Sequence, residues 1–224
     1  MTRKVLTSKL MDAAHETLDL AMDAPAAFHA ASGYAFSCVV ADPPWDVKAG
    51  PRSLHHPNEK SRPLEYPTMT VEQIAALKVP VAKDAHLYIW TINAYIEETY
   101  AIARAWGFEP STLLTWLKQP KGRGLGGTFS TCTEFVLFAR RGALAAKQRC
   151  DRNWWGWGRG QHSAKPEEFQ TIVESVSPGP YLELFARRKR PGWVSWGNEV
   201  TPGVELETHN DQAETSARSK GIKP

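Results

Sequence analysis

Cysteine is scarce: there are three residues, Cys38, Cys132 and Cys150, and no C-x-x-C pair among them. That scatter suggests neither a disulfide framework nor a zinc site, and it points to a reducing, intracellular compartment. No apolar run approaches the ~20 residues needed to cross a bilayer. The N-terminus has neither the long apolar stretch nor the small-residue cleavage site of a signal peptide. We therefore expect a cytoplasmic protein with no membrane partner and no metal. A G-x-G-x-x-G loop is also missing, so a nicotinamide enzyme is not supported. No internal repeat is visible, which removes the repeat architectures.

What remains is a 224-residue chain of ordinary globular composition, 42% hydrophobic and 23% charged, long enough to bury one full core. The net charge is only +3, but it is unevenly distributed. Between Lys118 and Arg149 lie seven basic residues (Lys118, Lys121, Arg123, Arg140, Arg141, Lys147, Arg149) against one acid, Glu134. A second cluster is Arg187-Arg188-Lys189-Arg190. Basic stretches on a nearly neutral chain fit a polyanion on one face, or equally a solvated loop. Nine tryptophans are the other departure, and tryptophan stacks on bases.

Apolar patterning predicts strands over Tyr34–Ala41, Ala85–Thr91, Ser111–Leu117, Thr133–Ala139 and Tyr181–Ala186. Thr70-Val71-Glu72-Gln73 fits a capping box opening a short helix. Asn93 is expected to cap a second helix, with Ile96, Tyr100, Ala103 and Trp106 on one side and Gly107 at its end. Pro166 opens a third, running through about Val176. Strands alternating with helices predict an α/β sheet covered on both faces. Residues 1–33 read as a partly ordered N-terminal segment, 34–200 as the catalytic domain and 201–224 as a polar, disordered tail. The segments 51–67 and 118–130 read as lids.

Asp42-Pro43-Pro44-Trp45 directly follows the first strand, where α/β sheets place their ligands. These residue types suit the activation of an aromatic amine, whose lone pair is delocalised into the ring. A carboxylate accepting one amine hydrogen and a backbone carbonyl accepting the other pull the nitrogen toward a tetrahedral shape. They also stabilise the positive charge that develops on it. Consecutive prolines fix φ and remove N–H donors, leaving rigid carbonyls. Trp45 offers a face for an extruded base, or else an ordinary core residue.

From Tyr34 to Val200 the motifs, taken in order, resemble the MT-A-seventy family of S-adenosylmethionine-dependent adenine-N6 methyltransferases. They are Ala41–Trp45; Glu65–Met69 with Tyr66; Leu87–Trp90; Trp106–Phe108; Trp116–Lys118; His162–Glu168 with Ser163 and Lys165; Glu183–Arg187; and Gly192-Trp193 with Trp196–Glu199. The resemblance implies a Rossmann-like methyltransferase fold, circularly permuted so that the catalytic Asp42, Pro43, Pro44 and Trp45 precede the cofactor motif. It implies that Glu183, Phe185, Arg187, Asn198 and Glu199 surround the cofactor's nucleoside, that Lys118 meets its carboxylate, and that Asp42 also faces it. Asp23 stands at about the spacing of an acid that contacts the adenine ring. Where relatives carry His and Asn after the motif's arginine, this chain has Arg188-Lys189-Arg190.

Tyr66, Arg123, Trp154, Arg159, His162, Ser163 and Lys165 are the candidate substrate contacts. The segment Asp151–Gly160 reads as a loop that interleaves Trp154, Trp155 and Trp157 with Arg152 and Arg159, suited to stacking on bases and holding phosphates, or to capping the core. DNA is favoured over RNA, in a bacterial or phage-infected cell, because no separate RNA-binding module or zinc knuckle is visible. The competing readings are an RNA adenosine methyltransferase of the same family and an inactive nucleic-acid-binding scaffold paralogue. A third, methylation of a glutamine side chain in a protein, would favour Asn at the position of Asp42.

Overall fold

A computed structural model describes residues 35–46, 67–119, 128–158, 160 and 164–200. Its framework is one seven-stranded sheet: β1 (Phe36–Ala41), β2 (Val81–Thr91), β3 (Glu109–Gln119), β4 (Thr133–Arg141), β5 (Trp154–Gly158), β6 (Tyr181–Leu184) and β7 (Trp193–Trp196). The spatial order is β5-β3-β4-β2-β1-β6-β7. β1 pairs in parallel with β2 and β6, β6 with β7, and β3 with β5. Only β4 is reversed, antiparallel to both β2 and β3. The carboxyl ends of six strands and the amino end of β4 therefore emerge at one edge. This is the mixed α/β architecture expected from the alternation of elements, and it is Rossmann-like as the family resemblance implies.

Period-two alternation divides the core into two layers. Val39, Ala41, Leu87, Ile89, Leu137, Ala139, Leu182 and Leu184 face one side. There they meet α1 (Val71–Ala75) through Ile74 and α2 (Ile96–Ala105) through Ile102 and Ala103. Cys38, Val40, Tyr88, Trp90 and Val136 face the other side, under Phe169 and Val173 of α3 (Glu167–Val176). Phe36 has the parity of Cys38 yet joins the first layer, because the β1–β2 register shifts between these two residues.

The local signals act as their chemistry requires. Thr70 Oγ1 accepts the Gln73 N–H at 3.2 Å and Gln73 Oε1 accepts the Thr70 N–H at 2.9 Å, completing the capping box of α1. Gly107, at φ 81, ends α2 in a left-handed conformation that a side chain would strain, and its N–H donates to the Arg104 carbonyl. The start of α2 differs from expectation. Residues Asn93–Tyr95 form a 3-10 turn, Tyr95 is the N-cap and no side chain caps the helix, so Asn93 does not. Two strands departed from the sequence reading as well. The segment 154–158 is strand β5 rather than loop, and Trp193–Trp196 is a further strand.

Candidate active site

The edge where the parallel strands end holds a cavity of about 500 Å³. Asp42–Trp45 enter it from the end of β1, Ile92 from β2, Phe185–Arg187 from β6 and Trp196–Glu199 from β7. Glu134 reaches it from the first turn of the reversed strand β4, Lys165 from the approach to α3, and Pro67 and Met69 from the approach to α1. The volume falls within the roughly 300–1,000 Å³ of small-molecule sites.

The backbone is shaped for this crossing. Phe185 sits at φ 62, a region that side chains other than glycine rarely occupy, on the cavity wall directly after β6. Beside it the β7 exit passes so closely that a Cβ on Gly197 would lie 2.3 Å from the Ala186 carbonyl oxygen and 2.6 Å from its nitrogen. The Ala186 N–H donates to the Trp196 carbonyl at 2.9 Å, holding the two exits together.

Asp42 is not free. Lys165 Nζ lies 2.8 Å from its Oδ1 and 3.5 Å from Glu134 Oε2, while Glu134 Oε1 is bound by Lys118. The result is an alternating chain, Asp42–Lys165–Glu134–Lys118, across the floor of the site. Burial pushes the Lys165 ammonium down, but the carboxylates of Asp42 and Glu134 outweigh it and hold its pKa above the ordinary lysine value. Lys118 is absent from the cavity wall, which offers Lys165 and Arg187 as its cations among the described residues.

The prolines' carbonyls are already partly engaged. Pro43 O accepts the Trp45 N–H at 2.9 Å and Pro44 O accepts the Met69 N–H at 3.0 Å. Each keeps a second lone pair, so the motif presents rigid acceptors with half of their capacity in use. Trp45 is 6% exposed, stacks on Tyr95 at 4.8 Å and donates its indole N–H to the Trp90 carbonyl. It is both a core residue and a cavity wall, with one ring face covered.

Of the other expected site residues, Phe185, Arg187, Asn198, Glu199 and Lys165 converge on the cavity with Asp42. Arg187 pairs with Glu199 at 3.6 Å. Glu183 lies outside the wall, its Oε2 accepting from the Gln170 amide at 2.7 Å. Burial pushes its carboxyl up to about 7, with Arg188 opposing and the Asp42 charge adding to the rise. Trp154 is 55% exposed on the edge strand β5, away from the cavity wall. Asp23, Tyr66, Arg123, Arg159, His162 and Ser163 fall outside the described residues, as do the terminal segments and most of both expected lids. Glu134 went unrecognised in the sequence. The available signal was an acid at the start of an otherwise apolar, buried strand. Among the described residues no group of His, Cys, Asp and Glu side chains could hold a metal ion, and no helix is long and apolar enough to cross a membrane.

A mostly parallel sheet with an acidic, proline-stiffened turn and a cavity of small-molecule size at its carboxyl edge is a Rossmann-like arrangement. Residues 36–199 match the MT-A70 family model, and the chain belongs to that family. It is 30% identical to the type II methyltransferase M.MunI of Mycoplasma sp over 195 residues, covering 79% of this chain and 83% of that protein. It is 26% identical to the N(6)-adenosine-methyltransferase catalytic subunit METTL3 of Homo sapiens over 186 residues, 76% of this chain but 29% of that one. A Medicago truncatula protein named as a putative N(6)-adenosine-methyltransferase is 26% identical over 181 residues, and the chain spans 27% of its length.

Proposed function

We infer that the chain transfers a methyl group to the exocyclic N6 amine of adenine in DNA, with the base flipped out against Asp42–Trp45. The observation that carries this is the convergence of the Asp42 carboxylate and the Pro43 carbonyl on one cavity, stiffened by two prolines and a hydrogen-bonded tryptophan. S-adenosylmethionine, the family's methyl donor, would supply an electrophilic methyl on a sulfonium. The donor set suits it: Asn198 and Glu199 for a ribose diol, Lys165 and Arg187 for a carboxylate, Asp42 for a cationic group and Phe185 for an apolar ring.

The chain's own residues do the rest. Asp42 Oδ2, the oxygen away from Lys165, accepts one amine hydrogen and the spare lone pair of Pro43 O accepts the other, turning the nitrogen lone pair toward the methyl. Lys165 holds and orients the Asp42 carboxylate, and Asp42 stabilises the charge that develops on the amine. Flipping costs a few kcal/mol, which stacking and phosphate contacts offset. The order of motifs, Asp42–Trp45 before Glu183–Arg187, supports a circularly permuted arrangement.

DNA is supported by the similarity to a type II methyltransferase over most of that protein's length; similarity to adenosine methyltransferases supports the RNA alternative over a smaller share of theirs. Labelled-methyl transfer to DNA and RNA oligonucleotides, with nucleoside mass spectrometry, tests both. N6-methyldeoxyadenosine is the expected product. Product on RNA alone would replace this reading, and product on neither would end it.

A further inference from the structure

Beyond the cavity, the sheet continues to its open edge at β5. There Trp155 and Trp157 lie with ring centroids 5.5 Å apart and planes within 6° of each other. Both are only partly buried. They are register partners of Trp116 and Lys118 on β3, so they share the face that carries Glu134, Trp90 and α3. Trp157 packs against the core and its carbonyl accepts from the Trp116 indole at 3.1 Å. Trp155 is outermost. Gly156 and Gly158 put no side chain on the opposite face of the strand, where Gln119 packs against Gly156, so the aromatic mass faces one way apart from Trp154.

The ground between this pair and Asp42 is electrically prepared. Lys118 stands beside Trp157 and Glu134 is paired with two lysines, while Arg152 is exposed just before β5, beyond Trp155 from the cavity edge. A phosphodiester chain leaving the cavity along this face crosses a charge-balanced floor, in which both carboxylates are paired with lysines, and then meets a parallel pair of indoles. From β1 to β5 there are four strand spacings of ~4.8 Å, about 19 Å. A stacked strand rises ~3.4 Å per nucleotide, which puts the pair about five or six nucleotides from a base held at Asp42.

We propose that Trp155 and Trp157 form a stacking platform for an unpaired base of the DNA strand, several nucleotides to one side of the target adenine. The proposal rests on the function inferred above. An indole face suits any base, so the platform sets strand position without reading sequence.

The test is an abasic scan. Single-stranded oligonucleotides with one target adenine carry one abasic site at each position from one to eight nucleotides away, on either side. Affinity is read by fluorescence anisotropy and KM by labelled-methyl transfer. In the wild type, abasic substitution at one or two positions several nucleotides out on one side should weaken binding about ten-fold. Trp155→Ala should bind the intact strand about ten-fold more weakly and lose the positional dependence. Trp155→Phe should retain much of it, which separates stacking from folding. A flat wild-type scan overturns the platform with no variant needed, as does a Trp155→Ala scan matching the wild type. If no strand is methylated, the catalytic reading falls, while the anisotropy scan still decides the platform.

Discussion

The two ends of α3 cover two polar clusters built on the same face of the same sheet, organised in opposite ways. At its N-terminal end, Asp42, Lys165, Glu134 and Lys118 form an alternating chain of ion pairs beside an open cavity. At its C-terminal end, Ser177 Oγ is bonded to His86 Nδ1 at 2.7 Å and to the Tyr88 hydroxyl at 2.8 Å, and His86 Nε2 reaches the Leu144 carbonyl at 3.2 Å. This second cluster is closed, with no carboxylate among its hydrogen-bond partners in the described residues, and the nearby Lys147 and Arg140 count for less than burial. Burial therefore drives each member to its neutral form: the Cys38 thiol up to about 12, the Tyr88 phenol upward and the His86 imidazole downward. A Ser–His pair of this kind has the distances of a catalytic dyad, but Ser177 has no exposure at all. Access and charge, more than hydrogen bonding, separate the chemical end from the structural one.

The largest effect should come from the open cluster. Asp42→Ala removes the acceptor that shapes the amine while leaving most of the cofactor contacts in place, so turnover should fall at least ~100-fold, well beyond any loss of cofactor affinity read by calorimetry. Wild-type turnover on every adenine substrate would refute the role. Lys165→Met should have the next effect, roughly ten-fold on kcat, because Asp42 and Glu134 would be left side by side without their shared cation. Lys165→Arg, which keeps a cation between the two carboxylates, should recover much of the rate.

In the closed cluster, Ser177→Ala leaves the His86 nitrogen and the Tyr88 hydroxyl without their common partner. A loss of about 1–3 kcal/mol in denaturant unfolding is expected, with kcat unchanged. A change in kcat with stability intact would mean that the two ends are coupled through α3. The closed cluster also carries a pH signature. His86 has its pKa lowered in the native state, so the unfolded chain binds the extra proton first. Stability should be lost as pH falls from about 6.5 toward the lowered native value. His86→Gln should flatten that part of a Tm-versus-pH curve.

The smallest effect sharpens the boundary between the ends. Glu183 has its native pKa raised to about 7, so the native state holds a proton that the unfolded chain has released. Its contribution to stability therefore declines as pH rises from about 4.5 to 7. Glu183→Gln should melt higher than wild type at pH 8 and match it at pH 4. Equal differences at both pH values would show that burial does not govern this carboxyl.

Where one segment carries its own instructions, the amino-acid sequence alone was sufficient. β1 and the second half of β2 are buried on both faces, and β4 carries the continuous apolar run Phe135–Ala139, so their apolar character is visible without alternation. The Thr70 capping box and the Gly107 stop depend on residues three or four apart, and both stand as read. Asp42-Pro43-Pro44-Trp45 was legible for the same reason, since its rigidity is covalent. Strand β5 was not, because Trp-Trp-Gly-Trp-Gly has no β-branched residue and becomes a strand only by pairing with β3. Asn93 was misread because the chain first makes a 3-10 turn, which moves the helix start past it. Only the tertiary structure could bring Lys165 onto Asp42 and Glu134, close the neutral cluster around Ser177 and press Gly197 against Ala186. Each of these joins residues far apart in sequence, and the strand order that brings them together follows from burial shared across the whole sheet.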